Sequence, residues 1–319
     1  MKHKNSVSHF EKITINQSTQ WVLVKGQNID APLLIHVQAG PGLPLISEAD
    51  KMEKLLQLEK NFLVAYWDQR GCGLSFDKKI LPETINFDQM ADDIIACAKY
   101  LINKYHKRKA IVVGYSIGAT TSLMAAAKDS SVFSAIFAVG TDTDIPYANK
   151  YALDFAMNKA LAGKNKKLQQ RISELQSRPI VETERFQLRA EILTNLGGIQ
   201  TGITYNKLIL GSVKNILFSS HYGLRGLIKT VRGMAFCQNA MMPDYNNFNL
   251  FQKVSRVEIP VHFIQGNLDA VAPPDKGKEY YEQLEAFQKS FTLFEKSAHM
   301  PHYEEPEKLS SLILSFVNA

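Results

Sequence analysis

The chain has 319 residues, 45% of them hydrophobic and 21% charged, with 18 glycines and 12 prolines. That composition excludes a disordered, collagenous or repeat-built protein, and the length predicts one large domain carrying an insertion, or two domains. The formal net charge of +6 is uneven: residues 150–232 hold fourteen Lys or Arg against five acids, so the rest of the chain is slightly acidic.

Cys72, Cys97 and Cys237 lie far apart. Their odd number and spacing argue against a disulfide framework or a thiolate zinc site. The start, M-K-H-K-N-S, is polar with no apolar stretch behind it, and no apolar run is long enough to span a bilayer. We therefore expect reduced thiols, a cytoplasmic protein and no stable membrane insertion. The basic middle segment reads as a solvated helical face, with anionic ligands or a membrane surface as the alternative. Its cations are not clustered with stacking aromatics, so no nucleic-acid partner is expected.

Residues 20–25 and 31–37 are apolar and β-branched. Residues 61–67 (N-F-L-V-A-Y-W), 109–113 (K-A-I-V-V) and 132–139 (V-F-S-A-I-F-A-V) are short, nearly continuous apolar runs, the pattern of strands buried on both faces of a parallel sheet. Between them, 50–58 and 88–105 carry apolar residues three and four apart, and 116–128 is small and Ala-rich, which predicts helices. Alternating strands and helices imply right-handed crossovers and an α/β fold. From about residue 142 the pattern is helical until residue 257. A strand then resumes at 260–265, followed by a helix at 273–287, a last strand at 290–294 and a closing helix at 304–317. The expected organisation is a core of residues 1–141 and 258–319 with a helical cap, or lid, of residues 142–257.

The central motif is Gly114-Tyr115-Ser116-Ile117-Gly118, between a predicted strand and a predicted helix. So sharp a turn holds its middle residue in a strained conformation, needs glycine at its flanks and stands the serine oxygen at the carboxyl edge of the sheet. Ser116 is the candidate nucleophile. A serine hydroxyl needs a base, and the base needs an orienting carboxylate, in the chain order Ser, acid, His. Asp269, just past the strand ending at 265, and His299, just past the last strand, fit that order, with His302 as the competitor for the base. Backbone amides for an oxyanion would come from Ile117 and from Gly40 in the small-residue turn Gln38-Ala39-Gly40-Pro41-Gly42. The segment Asp68-Gln69-Arg70-Gly71-Cys72-Gly73-Leu74-Ser75 lacks the phosphate-cradle pattern. It reads as a turn buttressing the site, with Asp68 and Arg70 pairing with backbone or each other, and Cys72 is a competing nucleophile without an obvious base.

At these residues the sequence resembles the α/β-hydrolase superfamily, and within it the prolyl aminopeptidase (proline iminopeptidase) branch, peptidase family S33. That branch pairs an H-G-G-P-G loop with D-Q-R-G-x-G-x-S, G-x-S-x-G, a G-x-x-D acid and a G-H-x-P histidine. Here Gln38-Ala39 replace His-Gly, and Ala298 stands where a glycine commonly precedes the histidine. The resemblance implies a mainly parallel sheet flanked by helices and a Ser116–His299–Asp269 triad, with Gly40 and Ile117 as oxyanion donors. It implies a cofactor-free, metal-free serine hydrolase acting through an acyl-enzyme on a small-molecule or short-peptide substrate. An aminopeptidase of the proline iminopeptidase kind is the first expectation and a carboxylesterase the alternative. A scaffold retained as a non-catalytic ligand-binding protein is the expectation from another class. Glu182, Glu184 and Glu191 are the candidate acceptors for a substrate amine. The oligomeric state is not readable.

Overall fold

The structure, a computed structural model, describes residues 5–178, 180 and 182–318. The charged start at residues 1–4 lies outside the described residues. One eight-stranded sheet has the order β1-β2-β4-β3-β5-β6-β7-β8. The strands are β1 (Val7–Ile15), β2 (Ser18–Gly26), β3 (Leu33–Val37), β4 (Leu63–Asp68), β5 (Ala110–Tyr115), β6 (Phe133–Val139), β7 (Arg256–Gly266) and β8 (Glu285–Phe294). Pairing is antiparallel from β1 to β2 and from β2 to β4, and parallel everywhere else.

The helices are α1 (Ala49–Leu56), α2 (Phe87–Lys104), α3 (Ile117–Lys128), α4 (Ile145–Ala162), α5 (Lys166–Gln176), α6 (Thr183–Asn195), α7 (Tyr205–Phe218), α8 (Gly223–Tyr245), α9 (Pro274–Gln283), α10 (Pro301–Glu304) and α11 (Pro306–Asn318). Side-chain caps explain several starts. Asn86 accepts from the Gln89 amide at the head of α2, and Asp144 from the Tyr147 amide at the head of α4. Prolines 274 and 306 open α9 and α11, where a missing N–H costs nothing.

Two apolar cores sandwich the sheet, and alternation along each central strand feeds both. Leu33, Ile35, Val37, Leu63, Ala65, Trp67 and Val112 face one core, toward α2, α3 and α8. Leu34, Val64, Tyr66, Ile111, Val113 and Tyr115 face the other, toward α1 and α11. Every residue of β3, β4 and β5 is buried, which is why these strands read as unbroken apolar runs. Each fully buried aliphatic side chain contributes roughly 1.5–3 kcal/mol.

Two elements differ from expectation. β1 has no counterpart among the predicted strands; it is an edge strand whose burial is irregular along its length, so no apolar run announces it. Residues 285–287 belong to β8 and not to the preceding helix, because Glu285 and Ala286 pair with Arg256 and Val257 of β7. Tertiary pairing overrides the helix propensity of Glu and Ala there. The five helices α4 to α8 lie between β6 and β7, and a third apolar cluster joins α4, α5 and α6 to Ala270 and Val271.

Candidate active site

Ser116 sits between β5 and α3 with φ 53° and ψ −124°, a strained conformation for a residue with a Cβ, of the kind that costs about 1–3 kcal/mol. Its amide donates to Val139 O at 2.8 Å, which ties the turn to β6. The glycines are required by close approach. A Cβ on Gly118 would lie 2.3 Å from Gln38 O and 2.5 Å from Val37 O. The first turn of α3, which includes Ile117, therefore presses directly on the end of β3 and the start of the loop that holds Gly40. Gly40 itself precedes Pro41 through a cis peptide bond.

Asp269 and His299 come together from the loops after β7 and β8. His299 Nδ1 donates to Asp269 Oδ2 at 2.8 Å. The same carboxylate oxygen accepts from Gln265 Nε2 at 3.0 Å, and Oδ1 accepts from the amides of Val271 and Ala272 at 2.8 and 2.9 Å. Four donors fix a carboxylate that is 1% exposed. Burial presses the imidazolium of His299 downward, but the charge and hydrogen bond of Asp269, aided by the charge of Asp142, outweigh it, and the pKa of His299 rises. Gly140, with φ 58°, supplies the space beside the pair: a Cβ there would lie 3.2 Å from His299 Nδ1. His302 also lines the cavity, but the imidazole bonded to Asp269 is that of His299. The buried ring of His302 is tilted against Tyr115 and Tyr303, and burial holds its pKa well below the usual imidazole value.

Sequence reasoning missed Asp142. Ser116 Oγ donates to Asp142 Oδ2 at 2.8 Å, so the hydroxyl rests on a second carboxylate. Asp142 is 2% exposed, and burial raises its pKa while the charge of His299 and the bond from Ser116 pull it down. It lies three residues past the end of β6, as Asp269 lies three past the end of β7, while His299 lies five past the end of β8. The predicted helical block began on it and masked the signal. Arg189, 3% exposed on α6, was also missed; its charge opposes that of His299 and favours the ionised form of Asp142.

Ser116 and His299 open into a cavity of about 650 Å³. Its walls are mainly apolar, with Leu43, Met52, Ile203, Val213, Leu227 and Met234 among them. The three candidate amine acceptors are not among its lining residues: Glu182 pairs with Arg178 and Glu191 with Arg171, while Glu184 is exposed. The acid in the cavity wall is Glu48, which accepts from Asn215 Nδ2 and Tyr303 Oη.

The loop after β4 buttresses the site from behind. Asp68 does not pair with Arg70. It accepts from the amides of Leu45, Ile46 and Leu74 and from the hydroxyl of Tyr222, the residue that caps the start of α8. Arg70 forms a buried bidentate pair with Asp93 at 2.8 and 2.9 Å. Cys72 is buried, and its neighbour Cys237 together with burial pushes its thiol well above the ordinary range, which leaves it a poor nucleophile. Among the described residues no group of His, Cys, Asp or Glu has the arrangement of a metal site, and no helix is long and apolar enough to cross a membrane.

The family described as "Serine aminopeptidase, S33" matches residues 50–194. A Bacillus subtilis (strain 168) protein described as a probable aminopeptidase, YbaC, is 25% identical over 311 residues, 97% of this chain and 96% of its own length. Among solved structures, VinJ superposes with a TM-score of 0.70 at 13% identity, covering 97% of this chain and 98% of its own. The proline iminopeptidase-related protein of Thermus thermophilus does so at 0.64 and 13%, covering 96% of each chain. The chain has the α/β-hydrolase fold and resembles the serine aminopeptidases of family S33.

Proposed function

We propose that the protein is a serine hydrolase that cleaves an ester or amide through an acyl-enzyme, with the helices α4 to α8, between β6 and β7, acting as a lid over the cavity. The observation that carries this reading is the hydrogen-bonded His299–Asp269 pair beside the strained turn that presents Ser116, all opening into one cavity. Ser116 Oγ leaves Asp142 by rotation about its side chain and gives its proton to His299 as it attacks the acyl carbon. Asp269 holds the imidazole in the tautomer that accepts at Nε2 and stabilises the imidazolium that forms. The amides of Ile117 and Gly40 receive the oxyanion, and the N-terminal end of α3 adds its dipole. His299 then returns the proton to the leaving group, and water releases the acid by the same steps in reverse order. No cofactor enters this chemistry.

The apolar wall of the cavity favours a substrate with a sizeable apolar acyl group, a carboxylester before a charged N-terminal proline. The aminopeptidase reading rests on the S33 match, with Asp142, the buried carboxylate bonded to Ser116 Oγ, as the acceptor it would assign to a substrate amine. Turnover of p-nitrophenyl octanoate and of Pro-p-nitroanilide separates the two. A fluorophosphonate probe should label the wild type and not Ser116→Ala; equal labelling of both would move the nucleophile elsewhere.

A further inference from the structure

The outer faces of α7 and α8 are apolar and cationic at once. Leu210, Leu217 and Phe218 on α7, and Leu224, Ile228 and Val231 on α8, are all exposed, Phe218 at 85% and Leu224 at 66%. Their spacing repeats. Leu210, Lys214, Leu217 and Phe218 fall at i, i+4, i+7 and i+8 along α7, and Leu224, Ile228, Val231 and Arg232 at the same intervals along α8. Each set therefore shares one helix face, and the two helices pack side by side.

Lys207, Lys214, Arg225 and Arg232 are exposed on these helices and, among the described residues, none makes an ion pair. No acid occurs between Glu191 and Asp244. The surface is therefore an apolar plate set with cations that have no counter-charge of their own. The same helices line the cavity: Lys207, Ile209, Val231 and Ala235 stand in its wall. The plate is continuous with the approach to Ser116. A second copy of this chain is a poor occupant, because self-pairing would set cation against cation in a contact without acids.

We propose that the α7–α8 face docks reversibly on an anionic lipid bilayer. The exposed leucines, Phe218, Ile228 and Val231 enter the boundary between headgroups and acyl chains, and the four cations meet the lipid phosphates. The cavity then opens toward the bilayer and draws from it an amphiphile whose apolar chain fills the cavity and whose acyl carbon reaches Ser116. The substrate clause rests on the hydrolase reading above; the docking does not.

The test is flotation with phosphatidylcholine vesicles, with and without phosphatidylglycerol. Wild-type protein should float with phosphatidylglycerol vesicles, stay behind with pure phosphatidylcholine, and be released by high salt. The triple variant Lys214→Glu, Arg225→Glu, Arg232→Glu should bind at least about 100-fold more weakly, since each cation near the surface is worth about fivefold and each Glu adds repulsion. Its labelling by fluorophosphonate should match the wild type and report an intact fold. Phe218→Ser with Leu224→Ser should also lose binding. Ser116→Ala should float as the wild type does, so that a failure of the hydrolase reading leaves the docking intact. Absence of flotation, equal flotation on neutral vesicles, or a dimer in light scattering that the triple variant dissolves would each overturn the proposal.

Discussion

Replacing Asp142 by Asn tests how the resting site is held. The amide keeps the shape of the carboxylate and an oxygen for Ser116, but it removes a buried charge 2.8 Å from the nucleophile. A hydrogen bond to an ionised group is worth roughly 1.5–3 kcal/mol and a neutral one roughly 0.5–1.5, so the hydroxyl is freed by about 1–1.5 kcal/mol. If Asp142 only restrains Ser116, kcat/KM rises by up to about tenfold. The charge of Asp142 also raises the pKa of His299, so the acid limb of the kcat/KM profile should move to lower pH.

Stability changes too. Burial raises the folded-state pKa of Asp142 above its unfolded value, so the group favours the fold while protonated, and that contribution is lost as pH rises through the folded pKa. The substituted amide stays neutral at every pH, and the variant should melt higher than wild type at pH 8 with the difference shrinking at pH 4. The assays are a pH series of p-nitrophenyl ester hydrolysis and thermal melts. An unmoved acid limb, or a kcat/KM more than tenfold below wild type at every pH, would refute the reasoning and place Asp142 in the reaction itself.

Gly140→Ala should lower kcat by at least tenfold while costing about 1–2 kcal/mol in stability, since its Cβ meets His299 Nδ1 at 3.2 Å and its φ is 58°; steady-state kinetics with denaturant unfolding checks both. Asp93→Ala strands the guanidinium of Arg70, which is 7% exposed, and should cost about 3–5 kcal/mol in urea unfolding. Tyr222→Phe removes a donor that holds down the burial-raised pKa of Asp68. The variant should be less stable than wild type, with a deficit in melting temperature that widens as pH rises through the carboxylate range.

What could be read from the sequence follows from where the energy of each element resides. The central strands are buried on both faces, so their own residues declare them, and Ser116 follows such a strand, β5; Asp269 and His299 follow β7 and β8, which are less buried but still readable as apolar runs near their ends. β1 is held by its ladder to β2 and shows no comparable run. Asp142 obeys the same positional rule as the other three, yet the chain turns into a helix immediately after it. Arg189 is one of fourteen cations in its segment, and only its burial sets it apart. Glu182 and Glu191 are paired with Arg178 and Arg171. Charge pairing of that kind depends on helix neighbours that composition does not reveal.

The helices α7 and α8 are fastened very unequally. α8 buries eight residues and is pinned through Tyr222 to Asp68, the carboxylate that also gathers the amides of Leu45, Ile46 and Leu74. α7 buries Ile216 alone and reaches the floor through Asn215 and Glu48. Local opening follows the weaker attachment. α7 should therefore open more readily than α8, and faster amide exchange along 205–218 than along 223–245 is the expected outcome.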